Sequence, residues 1–431
     1  MAGLVAGAFL LPGATAAADE SRPTADLSAP TPTAPYAGLP PQGSAPDGST
    51  VGGDDLDTRD VIVADDAPDL PPGLAAAGWL VADVGTGEVL AARDPHGRYY
   101  PASTLKTLTL LTLVHRLDPE LVVEGTAEDE AVEGSRVGLV HGGRYTVALL
   151  FQALILQSGN DAANALARAA GGLPATVEAM NDVAEQIGAY DTVAGSPSGL
   201  DVAGQSSSPY DLALIFRALL ADPVTAAILT TRTATMPAVE GLSAGYQIQN
   251  ENPLLDAYEG DLGGKTGFTD AARHTYVTAA ERNGRRVVVS VMDTEAAPLR
   301  AAGQAALLLD WAFALPADVD GVGTLVEPGD LSTAPTTSRS AGTRETPSTG
   351  AAVPGEEPGS PLVPVALAAG AVVIVTATVI GRRRAVRPVP AAGTRPGPGT
   401  PPVRRPPARR PPPPGETTPP APRGGSPSTR R

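Results

Sequence analysis

The sequence predicts an α+β domain: an antiparallel sheet built from both ends of one domain and packed against helices, followed by a single membrane-spanning helix. Three observations carry this expectation. "GWLVADVGTGEVLAAR" (78–93) reads as two short strands around Gly85-Thr86-Gly87. "HTYVTAAERNGRRVVVSVM" (274–292) reads as a second hairpin turning at Asn283-Gly284, a strong type I′ signal. Between the hairpins lie apolar stretches of helical length, so strands sit at both ends of the domain and helices in its middle.

In chain order, the first of these helices is "STLKTLTLLTLVHRL" (103–117), apolar nearly all round and therefore buried. "TVALLFQALILQ" (146–157) is a second apolar helix. It stops at Ser158-Gly159-Asn160, and "DAANALARAA" begins a third. "SPYDLALIFRALL" (208–220) and "LRAAGQAALLLDWAFAL" (299–315) complete the set. The globular pattern covers residues 73–315, enough chain for a substantial core.

The flanks differ in kind. Residues 1–18 end in small residues before Asp19 and Glu20 and read as an export signal, although no Lys or Arg precedes the apolar run. Residues 19–72 and 316–360 are rich in Pro, Ala, Ser, Thr and Gly without periodicity, which predicts two disordered linkers. Residues 361–380 hold no charge, long enough at about 1.5 Å per residue for the ~30 Å hydrocarbon core of a bilayer. "GRRRAVR" follows at once, the pattern of a cytoplasmic flank. The expectation is a single-pass protein of the cell membrane, its domain outside and a basic Pro/Arg-rich tail (381–431) inside.

Charge divides along the same line. The tail carries twelve Arg against one Glu, which leaves a net −27 on residues 1–380 of a chain whose total is −16. An acidic, exported body argues against nucleic acid as a partner. The chain has no Cys, which excludes disulfides and thiol catalysis, and its four His show no metal-ligand spacing. No cofactor and no metal is expected.

Chemistry is concentrated in three short motifs: Ser103-x-x-Lys106, Ser158-Gly159-Asn160 and Lys265-Thr266-Gly267. Positions i and i+3 share a helix face, so Ser103 Oγ and Lys106 Nζ can touch. Ser103 as a helix cap beside a solvated lysine is the competing reading, but the helix offers Lys106 no polar face. A lysine serves as a base when burial and a second cation depress its pKa, and Lys265 on a strand can supply that cation. Ser103 at a helix start meets backbone N–H groups and the positive end of the dipole. Ser158 at a helix break can relay a proton, and Asn160 can hold a substrate amide and Lys106. Gly267 lets an extended substrate lie against the strand edge. A rival hydrolase motif, Gly241-Leu242-Ser243-Ala244-Gly245, lacks the preceding strand and following helix of a nucleophile elbow.

In these motifs, in this order, and in "YYPASTLKTLTLL", "LLFQALILQSGNDAANALA", "SGLDVAGQSSSPYDLA" and "GGKTGFTDAA", the chain resembles the serine-type D-alanyl-D-alanine carboxypeptidases, the low-molecular-mass penicillin-binding proteins. The resemblance spans about residues 78–313. It implies the transpeptidase-like β-lactamase fold, a five-stranded antiparallel sheet flanked by helices. It also implies a peptidoglycan stem peptide ending in D-Ala-D-Ala as substrate, β-lactam antibiotics as covalent inhibitors, and Ser103, Lys106 and Ser158 as the catalytic set. Substrate binding would fall to Asn160, Lys265, Thr266, Gly267 and Phe268. The N–H groups of Ser103 and Phe268 would form the oxyanion hole, and Lys265 and Thr266 would bind the terminal carboxylate.

Departures from the pattern leave alternatives open. Arg273 stands where many relatives have Gly, and Ser198 where many have His. Arg300 is the nearest candidate for a carboxylate-binding arginine near the last helix, one residue out of register. A β-lactamase is one alternative, but no E-x-x-L-N element lies between Asn160 and Lys265. A catalytically inactive wall-binding scaffold is the other, hinted at only by Arg273.

Overall fold

The computed structural model describes residues 24–330 apart from Leu27, Ala37, Leu39, Pro40 and Ala317. The expected export signal, membrane helix and basic tail lie outside the described residues, as does most of the second linker.

The chain enters through a short strand β1 (Val61–Val63) and the hairpin β2 (Gly78–Asp83) and β3 (Glu88–Arg93). A 3-10 turn at Ala102–Leu105 leads into α1 (Lys106–Leu113). A minor pair of strands, β4 (Val122–Glu124) and β5 (Arg144–Thr146), brackets α2 (Ala127–Ala131). The helical block continues with α3 (Val147–Leu156), α4 (Asn160–Ala169), α5 (Leu173–Gln186), α6 (Pro209–Ala221) and α7 (Pro223–Thr230). A second minor hairpin, β6 (Thr233–Met236) and β7 (Tyr246–Gln249), precedes the long strands β8 (Asp261–Thr269), β9 (Arg273–Arg282) and β10 (Arg285–Thr294). Helix α8 (Ala301–Ala314) and strand β11 (Gly323–Thr324) close the fold.

The main sheet is antiparallel, in the order β1-β3-β2-β10-β9-β8, with β11 also on β3. The five longer strands are the expected sheet, and β8 is its free edge. Two further strands correct the count to seven. Both attach to the outer side of β3, Val61 opposite Arg93 and Gly323 opposite Val89. Runs of three and two residues are too short for alternation to show in the sequence. Asn283 and Gly284 adopt φ of 54° and 82°, as a type I′ turn between β9 and β10 requires.

Alternation along the strands sorts the core into two layers. Leu80, Ala82 and Val288 face α1, α3, α4 and α6, while Trp79, Val81, Val289 and Val291 face α8. With both faces covered, β2 is buried at every residue.

The linkers are shorter than composition suggested. Val51 and Leu56 are buried in the core, and β1 and β11 come from segments expected to be disordered. Polar anchors fix the first segment: Gly43 N–H donates to Asp191, and His96 joins Asp191 to the Val51 carbonyl. Arg98 donates to the same carboxylate at 3.0 Å. A cation thus already sits within the buried His96, Asp191 and Asp211 group, which works as a clamp for the chain. Such residue-by-residue packing needs no hydrophobic period and leaves none to read.

Candidate active site

Ser103 lies in the 3-10 turn ahead of α1, not inside the helix. Its predecessor Ala102 takes φ 48°, unusual for a residue with a side chain. Two contacts hold this turn. Thr275 Oγ1 on β9 donates to the Pro101 carbonyl at 2.9 Å. Gly199 approaches from the other side so closely that a Cβ there would stand 1.8 Å from the Ala102 oxygen. Gly267 on β8 faces the same turn, and a Cβ on it would lie 2.9 Å from Ser103 N. A bare backbone at 267 therefore keeps the Ser103 N–H accessible beside the sheet edge.

Lys106, fully buried, begins α1. Its Nζ lies 2.9 Å from Ser103 Oγ, 2.7 Å from Asn160 Oδ1 and 2.6 Å from the Ser198 carbonyl. The Asn160 amide is oriented by its other end, since Nδ2 donates to the Glu133 carbonyl at 2.7 Å. Burial, and then the nearby Lys265 ammonium, push the Lys106 amine well below the usual lysine range, against the pull of Asp161 and Glu251. A neutral amine has two hydrogens and one lone pair. Asn160 Oδ1 and the Ser198 carbonyl can only accept, so they take both hydrogens. The lone pair is left facing the Ser103 hydroxyl, the arrangement of a nucleophile beside its base.

Ser158 occupies the break between α3 and α4 with φ 58°. Its Oγ accepts from Lys265 Nζ at 3.0 Å, and Lys265 also donates to the Thr266 carbonyl at 2.8 Å. Burial lowers the Lys265 amine to about 8, with Glu251 acting the other way. Asn160 starts α4 and is followed by Asp161, whose buried carboxylate accepts the N–H groups of Val137, Gly138 and Leu139. This binds the loop ahead of β5 to the second motif.

The structure thus brings together two hydrogen-bonded groups, Ser103 with Lys106 and Asn160, and Ser158 with Lys265, the Lys265 charge acting on the Lys106 amine, beside Thr266, Gly267 and Phe268 on the edge strand. Phe268 is half exposed, its ring 4.7 Å from that of His274. Arg273 does not enter the cluster: its guanidinium pairs with Glu295 and lies over the Phe268 ring. Its φ of 54° is a left-handed conformation that glycine would adopt without strain. Arg300 stands exposed at the start of α8, with no recorded bond to the cluster. Ser243 lies in the loop joining β6 to β7, which removes the rival elbow.

Sequence reasoning missed the backbone partners: the carbonyls of Ser198 and Glu133 and the close approach of Gly199. Main-chain contacts carry no residue signature. Asp161 was missed as well, although an acid directly after the second motif is a signal that the sequence does carry.

The comparisons agree with this geometry. A profile of the D-alanyl-D-alanine carboxypeptidase family, peptidase S11, matches residues 65–296, more than half of the chain. The D-alanyl-D-alanine carboxypeptidase DacB2 of Mycobacterium tuberculosis is 44% identical over 261 residues, 59% of this chain and 88% of that protein. DacD of Escherichia coli is 34% identical over 255 residues, and the chain spans 64% of its length. A crystal structure of a D-alanyl-D-alanine carboxypeptidase from M. tuberculosis superposes with TM-score 0.58 at 41% identity, covering 61% of this chain and 99% of that one. The Streptomyces K15 DD-transpeptidase gives 0.54 at 28% identity, covering 57% and 100%. A serine paired with a buried lysine in the matched span, together with this agreement, places the chain in the D-alanyl-D-alanine carboxypeptidase family.

Proposed function

We propose that the chain is a serine D-alanyl-D-alanine carboxypeptidase that removes the terminal D-alanine from peptidoglycan stem peptides. The observation that carries the reading is the buried Lys106 amine, held by two pure acceptors so that its lone pair meets Ser103 Oγ. Ser103 Oγ attacks the penultimate D-alanyl carbonyl and gives its proton to Lys106. The N–H groups of Ser103 and Phe268 receive the oxyanion. As the tetrahedral species collapses, the C–N bond breaks and the leaving amine takes a proton through Ser158. Water then adds to the acyl ester, Lys106 accepts its proton, and Ser103 leaves with that proton restored. Lys265 and Thr266 meet the terminal carboxylate, and Asn160 meets the substrate amide. β-Lactams would acylate the same Ser103.

The sequence pattern further supports export and a single membrane span at 361–380, with residues 381–431 on the cytoplasmic side. The inactive-scaffold alternative loses its one hint, because Arg273 is engaged by Glu295. The β-lactamase alternative gains nothing, since the carboxylate it requires has no sequence element here.

Intact mass after incubation with penicillin tests the reading. A stoichiometric adduct on the parent protein, absent from Ser103→Ala, is expected, together with D-alanine release from a D-Ala-D-Ala peptide by the parent alone. A folded parent that forms no adduct, or D-alanine release that survives Ser103→Ala, would refute it.

A further inference from the structure

Three parts of the site meet on the 196–204 loop. The Ser198 carbonyl accepts from Lys106 Nζ at 2.6 Å, Gly199 abuts the Ala102 oxygen, and Asp201 Oδ1 accepts from Thr269 Oγ1 of β8 at 3.0 Å. One loop thus touches the base, the turn that carries Ser103 and the edge strand. Gln205 braces it from within. Its buried carboxamide accepts the N–H groups of Gly195 and Ser196 and donates to the Leu200 carbonyl at 2.9 Å.

From outside, the same loop is covered by an arm of the chain that precedes β1. Asp26 N–H donates to the Ala203 carbonyl at 2.9 Å, an antiparallel bridge. Thr24 and Ala25 lie against two glycines. A Cβ at Gly204 would stand 2.6 Å from the Thr24 oxygen, and one at Gly195 would stand 2.9 Å from the Ala25 Cβ. Thr31 Oγ1 donates to the Asp201 carbonyl at 3.3 Å. The arm also reaches the nucleophile's side, where the buried Tyr100, three residues ahead of Ser103, donates its Oη to the Pro32 carbonyl at 3.0 Å. These arm residues all precede residue 65, where the family match begins.

We propose that Asp26, Thr31 and Pro32 are positioning residues for the reaction: they strap the 196–204 loop down and so hold the Ser198 carbonyl on Lys106 Nζ. The proposal rests on Ser103 and Lys106 acting as nucleophile and base. The arm acts through the loop and not on the substrate. Holding a loop in one conformation costs backbone entropy at every residue, and the arm's contacts offset part of that cost. With the strap loosened the loop draws back and water reaches the Lys106 amine. Burial, the largest cause of its lowered proton affinity, then relaxes. Lys265 on β8, Asp161 on α4 and Glu251 after β7 act on the same amine and keep their places. The ammonium form gains, so the base is lost at neutral pH and returns as pH rises.

Penicillin acylation of the full chain, followed across neutral and alkaline pH, tests this in two variants. Asp26→Pro/Thr31→Ala removes the bridging N–H and the hydroxyl, and deletion of residues 24–32 removes the strap itself. At neutral pH both are expected to acylate about tenfold more slowly than the parent, inside the roughly 10²-fold that a 1 Å misplacement can cost. The ratio of variant to parent rate should climb toward unity as pH rises, because Lys265, lowered to about 8, titrates alike in both. Thr31→Ser keeps the hydroxyl and should behave as the parent. If the deletion does not fold, the double variant decides. Parent-like rates in the double variant, whatever its thermal stability, or a loss that is uniform across pH, would make the arm a stability element and overturn the proposal. A parent that takes up no penicillin would instead refute the catalytic assignment.

Discussion

Asn160 Oδ1 sits 2.7 Å from Lys106 Nζ and, as a pure acceptor, helps decide where the lysine lone pair points. Asn160→Asp keeps the shape and adds a charge. A carboxylate at that distance favours the ammonium form and removes the base at neutral pH. Penicillin acylation should drop by roughly 10²–10⁴-fold, the range for losing general-base catalysis, and recover in part as pH rises. An unchanged rate at pH 7 would rule out the lone-pair argument.

The pH dependence of D-alanine release should show an alkaline limb near pH 8. Lys265 is lowered to about 8 by burial, so it loses its proton as pH climbs through that value. The cation facing the substrate carboxylate then disappears and kcat/KM falls. Lys265→Arg keeps its proton throughout the accessible range and should abolish the limb near pH 8. A limb that stays near 8 in that variant would assign it to another group.

Gly199→Ala should damage both stability and chemistry. The position has φ 83°, and the added Cβ would overlap the Ala102 oxygen. The loop must retreat, taking the Ser198 carbonyl from Lys106. A loss above about 2 kcal/mol in denaturant unfolding is expected, with slower acylation. Parent-like values for both would show that the turn has slack.

Arg273→Gly should be nearly silent in acylation. The exchange relieves a left-handed backbone and removes an exposed ion pair, two small effects of opposite sign. A large gain in acylation rate would instead show that Arg273 restricts the site mouth.

Leu56→Ala should cost about 2–5 kcal/mol, as for other buried leucines. Thermal unfolding gives the answer directly. A negligible change would return this segment to the status of a linker.

That last case shows where the sequence was readable. The two long hairpins and the apolar helices carry strong periods, and they appear within a few residues of where the pattern put them. The expected helix at 103–117 is shorter, because Ala102–Leu105 forms a 3-10 turn and α1 ends at Leu113. The site side chains were legible because Ser, Lys and Asn at those spacings have few other uses in an apolar setting. What stayed hidden is held by the main chain: Gly199 against Ala102, the Ser198 carbonyl, and β1 and β11 on the rim of β3. None of these leaves a side-chain pattern.

The placement of β11 has a mechanical consequence. Both added strands zip onto β3, and β8 lies at the opposite margin with β2, β10 and β9 between them. Tension drawn through the chain beyond residue 324 would peel β11 from β3 first, a two-residue seam. Four strands would absorb the load before it reached the margin where Lys265 and Gly267 stand. A domain pulled from its trailing end would thus give way where nothing is catalysed, and its working margin would keep its shape.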